Sequence, residues 1–135
     1  MDRRRIVGGL LVLAGLGGLL AWQAAGPRDE APLRVAVEVP ALSPAAKEGA
    51  RLFSANCASC HGENAGGSSQ GPPLVHKIYE PSHHGDAAFM MAVTRGVRPH
   101  HWGFGPMPPV PGLGEREVAR IVAYVRELQR ANGIR

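Results

Sequence analysis

Cys57 and Cys60 are the only cysteines of the 135-residue chain, and His61 follows them at once in Cys57-Ala58-Ser59-Cys60-His61. Two thiols spaced by two residues beside an imidazole suit four chemistries: a disulfide, a dithiol redox pair, part of a zinc site, or covalent attachment of haem. A zinc site needs four ligands, and with no second cysteine pair the histidines would have to complete it. None of them shows the finger-type spacing. A thioredoxin-like dithiol expects a preceding strand in a βαβ pattern, whereas a helical pattern runs up to Cys57. A disulfide between residues three apart closes a tiny loop and stabilises little. Haem attachment remains: both thiols add to the vinyl groups and the adjacent histidine reaches the iron.

The elements that must hold these groups can be read from capping and periodicity. Ser43-Pro44 is an N-cap followed by proline at the first helical position, predicting a helix from Pro44 into Cys57. Gly49, Phe53 and Cys57 lie four apart along one face of it. A second helix is predicted from Asp86 as N-cap to Gly96 as C-cap. In the third, from Glu115, residues Val118, Ile121, Val122, Val125 and Leu128 follow the three-four pattern, and Gly133 ends it. Strand signals are weak, so the fold class is all-α. The connections 62–85 and 97–114 are long and rich in Gly, Pro and His, which is expected when loops wrap something. A bulky apolar cofactor would supply the core that three helices lack.

With these elements in order, the stretch from Ser43 to about Asn132 resembles the class I c-type cytochromes, of the compact bacterial monohaem type. Gly49 and Phe53 lead into Cys57-Ala58-Ser59-Cys60-His61 as in that family, and Gly71-Pro72-Pro73-Leu74 resembles its Gly-Pro-x-Leu segment. The resemblance implies a cytochrome c-like fold of three main helices around one covalent haem c held by Cys57 and Cys60. It makes His61 an axial iron ligand oriented by the Pro72 carbonyl. It also implies contact of Ile121 and Tyr124 with Gly49 and Phe53. The second axial ligand is expected from Met107, in the proline-braced Gly105-Pro106-Met107-Pro108-Pro109, which resembles the family's Met-Pro loop. Met90 and Met91 sit inside a predicted helix, where methionine is ordinarily a gap-filler.

Tyr79 and Trp102 are candidate propionate contacts or core residues. His76 and the doublets His83-His84 and His100-His101 are expected to be loop residues. Their sharper readings are a second metal site, with copper suited to imidazole, or replacement of Met107 by His100 or His101.

The segment Ile6 to Ala25 carries no charge over 20 residues, enough to span the roughly 30 Å hydrocarbon layer. With Arg3, Arg4 and Arg5 before it, the positive-inside rule places the N-terminus in the cytoplasm and the rest outside. The competing reading is a cleaved signal, whose best site, Ala24-Ala25-Gly26, is hindered by Pro27. The expected organisation is thus an anchor over residues 1–25, a proline-containing tether over 26–42, and a cytochrome c domain over 43–135. The alternation in Arg34-Val35-Ala36-Val37-Glu38-Val39 also allows a short strand on the domain.

From Pro27 onward twelve Lys and Arg face ten Asp and Glu, too small an excess for nucleic-acid binding. An iron held on both sides leaves no place for a small-molecule substrate, so the expected role is electron transfer and not catalysis. The partners are expected to be redox proteins in or at the membrane. The alternatives are a haem-based sensor in which the Met107 bond is labile and a fixed haem subunit of an oxidase or dehydrogenase complex.

Overall fold

A computed structural model of the chain describes residues 34–135. The expected anchor lies outside the described residues, and so does the first part of the expected tether. Among the described residues, no helix is long and apolar enough to cross a membrane. The regular structure there is helical, with one isolated antiparallel bridge between Val97 and Met107.

Helix α1, Pro44–Asn56, starts where the sequence predicts. Ser43 Oγ accepts from the Ala46 amide at 3.2 Å, and Pro44 occupies the first turn. Its buried face is Ala46, Gly49 and Phe53. At Cys57 the backbone departs from helical geometry (φ −124°), and a one-turn helix α2, Ala58–His61, re-aims the chain. Helix α3, Asp86–Arg95, is capped by Gly85, so Asp86 is its first helical residue and not the cap that the sequence suggests. The Asp86 carboxylate instead accepts from Arg126 Nε at 2.8 Å, while still sitting favourably at a positive helix end. Helix α4, Glu115–Ala131, buries Val118, Ile121, Val122, Tyr124, Val125 and Leu128.

The fold rests on the crossing of α1 and α4. A Cβ at Gly49 would lie 1.9 Å from the Arg120 carbonyl oxygen and 3.0 Å from Tyr124 Cβ, so the two backbones approach as closely as hydrogen allows. Phe53 and Tyr124 pack with ring centroids 5.6 Å apart at 59°, the tilted arrangement that the aromatic quadrupole favours. Ile121, Val125 and Leu128 complete this core. A smaller cluster of Val93, Val118 and Val122, with Phe89 and Met90 against it, joins α3 to α4.

Two side chains that read as surface residues are buried on α4. Arg126 is 7% exposed and Gln129 1% exposed. Arg126 donates to the Tyr79 carbonyl (2.8 Å), the His84 carbonyl (2.5 Å) and Gln129 Oε1 (2.6 Å), and its guanidinium carbon lies 5.0 Å from the Phe89 ring centroid. Gln129 Nε2 donates to the Leu74 and Tyr79 carbonyls. In the segment 74–85, which includes a single 3-10 turn at Lys77–Tyr79, the carbonyls of Leu74, Tyr79 and His84 are thus met by α4 rather than by local structure.

Residues 34–42 are extended and fastened to the domain. Val35 N–H donates to the Gly66 carbonyl at 2.8 Å, Glu38 N–H to Asn132 Oδ1 at 2.9 Å, and Asn132 Nδ2 to the Glu38 carbonyl at 2.8 Å. Val35, Val37 and Leu42 pack on the core. The alternation of valines therefore serves one apolar face without a strand partner. This stretch, placed by the sequence in a tether, is part of the folded unit because burying those three side chains outweighs the entropy of a free chain.

Ser43 joins the two main helices as well as capping one. Its N–H and Oγ–H donate to Glu127 Oε2 (3.0 Å) and Oε1 (2.6 Å). These bonds, foremost that from the side chain, hold the Glu127 carboxyl below its ordinary range. Because the folded value is depressed, the stabilisation is present above the ordinary carboxylate value and is lost as pH falls through the folded one. Ser43→Ala is expected to cost about 1–2 kcal/mol at neutral pH. Urea denaturation should show the gap to the parent narrowing as pH falls below the ordinary carboxylate range.

Candidate functional site

The end of α1, the turn of α2, and the loops on either side of α3 surround one cavity of about 540 Å³, within the range of roughly 300–1,000 Å³ typical of ligand and cofactor clefts. Cys57, His61, Pro72, Tyr79, Trp102 and Met107, all singled out from the sequence, line it. Cys60 does not line it. That side chain is exposed on α2, against the Gly71 backbone. Phe53 and Ile121, from the helix crossing, form part of the wall, so the core that holds α1 on α4 also shapes the cavity.

His61 closes α2 and turns its Nδ1 to the Pro72 carbonyl at 2.9 Å. A carbonyl only accepts, so Nδ1 carries the proton and Nε2 keeps its lone pair. Burial pushes the imidazole pKa down, opposed in part by the Pro72 hydrogen bond. The ring is therefore neutral at neutral pH, the form that binds metal. Orientation of a ligating histidine through its other nitrogen is the usual arrangement at metal centres and raises ligand basicity.

Burial, and secondarily the neighbouring Cys60, pushes the Cys57 thiol up to about 11. Redox-active dithiols need the opposite, an attacking thiol of depressed pKa in an electropositive setting. Cys57 is thus not the activated thiol that exchange chemistry needs.

Met107 is placed by backbone pairing. Val97 N–H donates to the Met107 carbonyl at 2.9 Å, and Met107 N–H to the Val97 carbonyl at 3.0 Å. The segment reaches this pairing through Gly96, at φ 75° and ψ 179°, a conformation open essentially only to glycine. A Cβ there would stand 2.5 Å from the Met107 carbonyl oxygen. Of the other methionines, Met90 packs in the α3–α4 cluster. Met91 borders the cavity but is 52% exposed.

Trp102 Nε1–H donates to Tyr79 Oη at 3.0 Å. This uses the only donor of the indole and leaves the phenolic proton of Tyr79 to face an acceptor. Burial raises the Tyr79 pKa, with the Trp102 bond opposing, so the phenol stays protonated as a donor. Arg126 and Gln129 were not legible as site-supporting residues. On α4 they fall on the face of Val122 and Val125, and only that register hinted at their burial.

A largely apolar cleft that brings a thiol, a neutral imidazole with a free Nε2, and a thioether to its wall fits haem, and His84, His100 and His101 also border it. A family model described as cytochrome c matches residues 46–129. Among curated proteins, the chain is similar to the "Cytochrome bc1 complex cytochrome c subunit" of Mycobacterium tuberculosis and of Mycobacterium bovis. Each is 35% identical over 136 residues, which cover 97% of this chain and 42% of the relative. A shorter match, 58% identical over 31 residues, covers 23% of this chain and 11% of the "Cbb3-type cytochrome c oxidase subunit FixP" of Azorhizobium caulinodans. The chain spans less than half the length of these curated relatives. No solved structure matches it. With the family pattern matched over most of the folded domain, the chain belongs to the cytochrome c family of electron-transfer proteins, which carry covalently bound haem c.

Proposed function

We propose that this chain is a membrane-anchored monohaem electron carrier whose folded domain works on the extracytoplasmic side. In this reading Cys57 and Cys60 would hold the haem, and His61 and Met107 would ligate its iron. The observation that carries it is the His61 Nδ1 to Pro72 carbonyl bond, which leaves Nε2 as a basic ligand at a cavity that Met107 also lines. Haem, when bound, would supply a one-electron iron couple, and ligation by a thioether together with an imidazole would raise its potential. The chain's own residues then do three things. Pro72 fixes the His61 ring, the Val97 pairing fixes the Met107 loop, and Phe53, Leu74 and Ile121 contribute apolar wall that excludes water. Tyr79 O–H is the donor available to a propionate, with Trp102 holding the phenol in place.

The test is a denaturing gel stained for haem, together with absorption spectra of the protein exported from a host that makes c-type haem. Haem retained on the gel and a weak far-red band in the ferric form are expected. Haem lost on denaturation would refute covalent attachment, and retained haem without the band would refute the Met107 ligand.

Gly96 gives a separate check on the Met107 assignment. Gly96→Ala is expected to cost about 1–3 kcal/mol for its backbone conformation and to push the Met107 carbonyl outward. The far-red band should weaken at neutral pH while the haem remains attached, read by the ferric spectrum across a pH series.

A second reading, a fixed haem subunit of a membrane redox complex, is favoured by the names of the relatives. Co-purification with other membrane proteins at fixed stoichiometry supports it, and isolation of the chain alone from mild detergent argues for a free shuttle.

A further inference from the structure

The two histidine doublets, 17 positions apart in the chain, converge in space. His83 Nε2 and His101 Nε2 are 3.3 Å apart. His83, His84 and His101 each offer a ring nitrogen, all within 4.8 Å of one another. His100 stacks on His84 with centroids 5.8 Å apart and lies 4.3 Å from His101. Nitrogens held ~2.0–2.1 Å from a tetrahedral ion stand roughly 3.3–3.4 Å apart, so the His83–His101 pair already has the edge length of such a site. His84 Nδ1 donates to the Ile78 carbonyl at 2.7 Å, which assigns the proton and leaves Nε2 as the ligand atom. A backbone carbonyl orienting a ligating imidazole is the same device that Pro72 provides for His61.

We propose that His83, His84 and His101 form a second metal site at the rim of the haem cavity, whose wall His84 and His101 also line, for one divalent first-row transition ion. Three imidazoles suit copper and zinc, and by the general affinity order copper(II) binds more tightly. His83 and His101 are exposed and His84 is half-buried, so an ion enters from solvent and water completes its shell. Partial desolvation, then the facing His100, His84 and His83 in turn, lower the His101 pKa, which favours the neutral, ligating form of that ring. The site joins the loop before α3 to residues 98–106, the segment between Val97 and Met107, and an ion there would clip that segment in place.

The test uses the haem-loaded full chain, stripped with chelator and held ferric so that copper is not consumed by electron exchange. Equilibrium dialysis with copper(II) and with zinc(II) should give one tightly held ion per chain. The copper(II) resonance spectrum should show coupling to three nitrogens. His83→Asn, at a residue outside the haem cavity wall, is expected to weaken binding by at least about tenfold with the haem spectrum unchanged, and together with His101→Asn to remove the strong site. Binding unaltered by the double substitution would overturn the proposal, as would less than one ion per chain or coupling to a single nitrogen. The haem spectrum reports folding independently, so a misfolded variant cannot pass for a lost ligand. The nitrogen coupling of the unsubstituted protein decides the matter without any variant.

Discussion

Met107→Leu is expected to abolish the far-red ferric band while leaving the haem attached, and to lower the reduction potential by roughly 0.1–0.3 V, a moderate part of the ~0.8 V range that axial ligands cover. Leucine matches methionine in volume, so the loop loses only the sulfur; volume-conserving apolar swaps usually cost less than about 1.5 kcal/mol. The backbone pairing of Met107 with Val97 does not depend on the side chain, so the fold should survive. Redox titration followed by absorbance measures the shift. A potential unchanged in Met107→Leu would sink the assignment, because iron that never bound the thioether cannot notice its loss. Met91→Leu is the companion measurement. Met91 also borders the cavity, from α3, and if it were the ligand the band would vanish there and persist in Met107→Leu.

Gly49→Val is expected to be the most damaging single substitution for stability. Even the first added carbon would sit 1.9 Å from the Arg120 carbonyl oxygen. Cβ is fixed to the backbone of α1 and the carbonyl belongs to that of α4, so neither can step aside as the end of a side chain does. Relief requires α1 and α4 to separate, which opens the Phe53–Tyr124 contact and the cavity wall built on it. Overpacking costs about 1–3 kcal/mol and occasionally more, and a backbone collision belongs at the upper end. Against a net stability of about 5–15 kcal/mol, a large share would be lost. Denaturant unfolding monitored at the haem band would measure it, and Gly49→Ala should fall between the parent and the valine variant. Full stability in Gly49→Val would show that the helix crossing is not the close contact described.

Where local chemistry carries the signal, the sequence by itself was sufficient. Cys57, Cys60 and His61 are adjacent in the chain, so their joint chemistry needs no knowledge of the fold. Ser43-Pro44 starts α1 because capping is settled within one turn. The register of Val118, Ile121, Val122, Val125 and Leu128 identifies the inward face of α4 because helical periodicity repeats along a single element. The contact of Gly49 and Phe53 with α4 was readable only through the family resemblance, since nothing local in either helix names its partner.

Tertiary structure decided the rest, wherever the outcome depends on which distant backbone groups are left without partners. Arg126 and Gln129 are polar residues on an apolar face, and they are buried because the carbonyls of Leu74, Tyr79 and His84 need donors. Asp86 is not the cap of α3 for a related reason: Arg126 lies beside it and Gly85 serves instead. Residues 34–42 adhere to the domain because Gly66 and Asn132 meet their backbone. The histidine doublets come together because the loop carrying Trp102 packs on the segment carrying His76 and Tyr79, a proximity that no local pattern encodes. A sequence fixes which groups are available within a turn or along a helix, whereas long-range pairing is set by the closure of loops around a shared core.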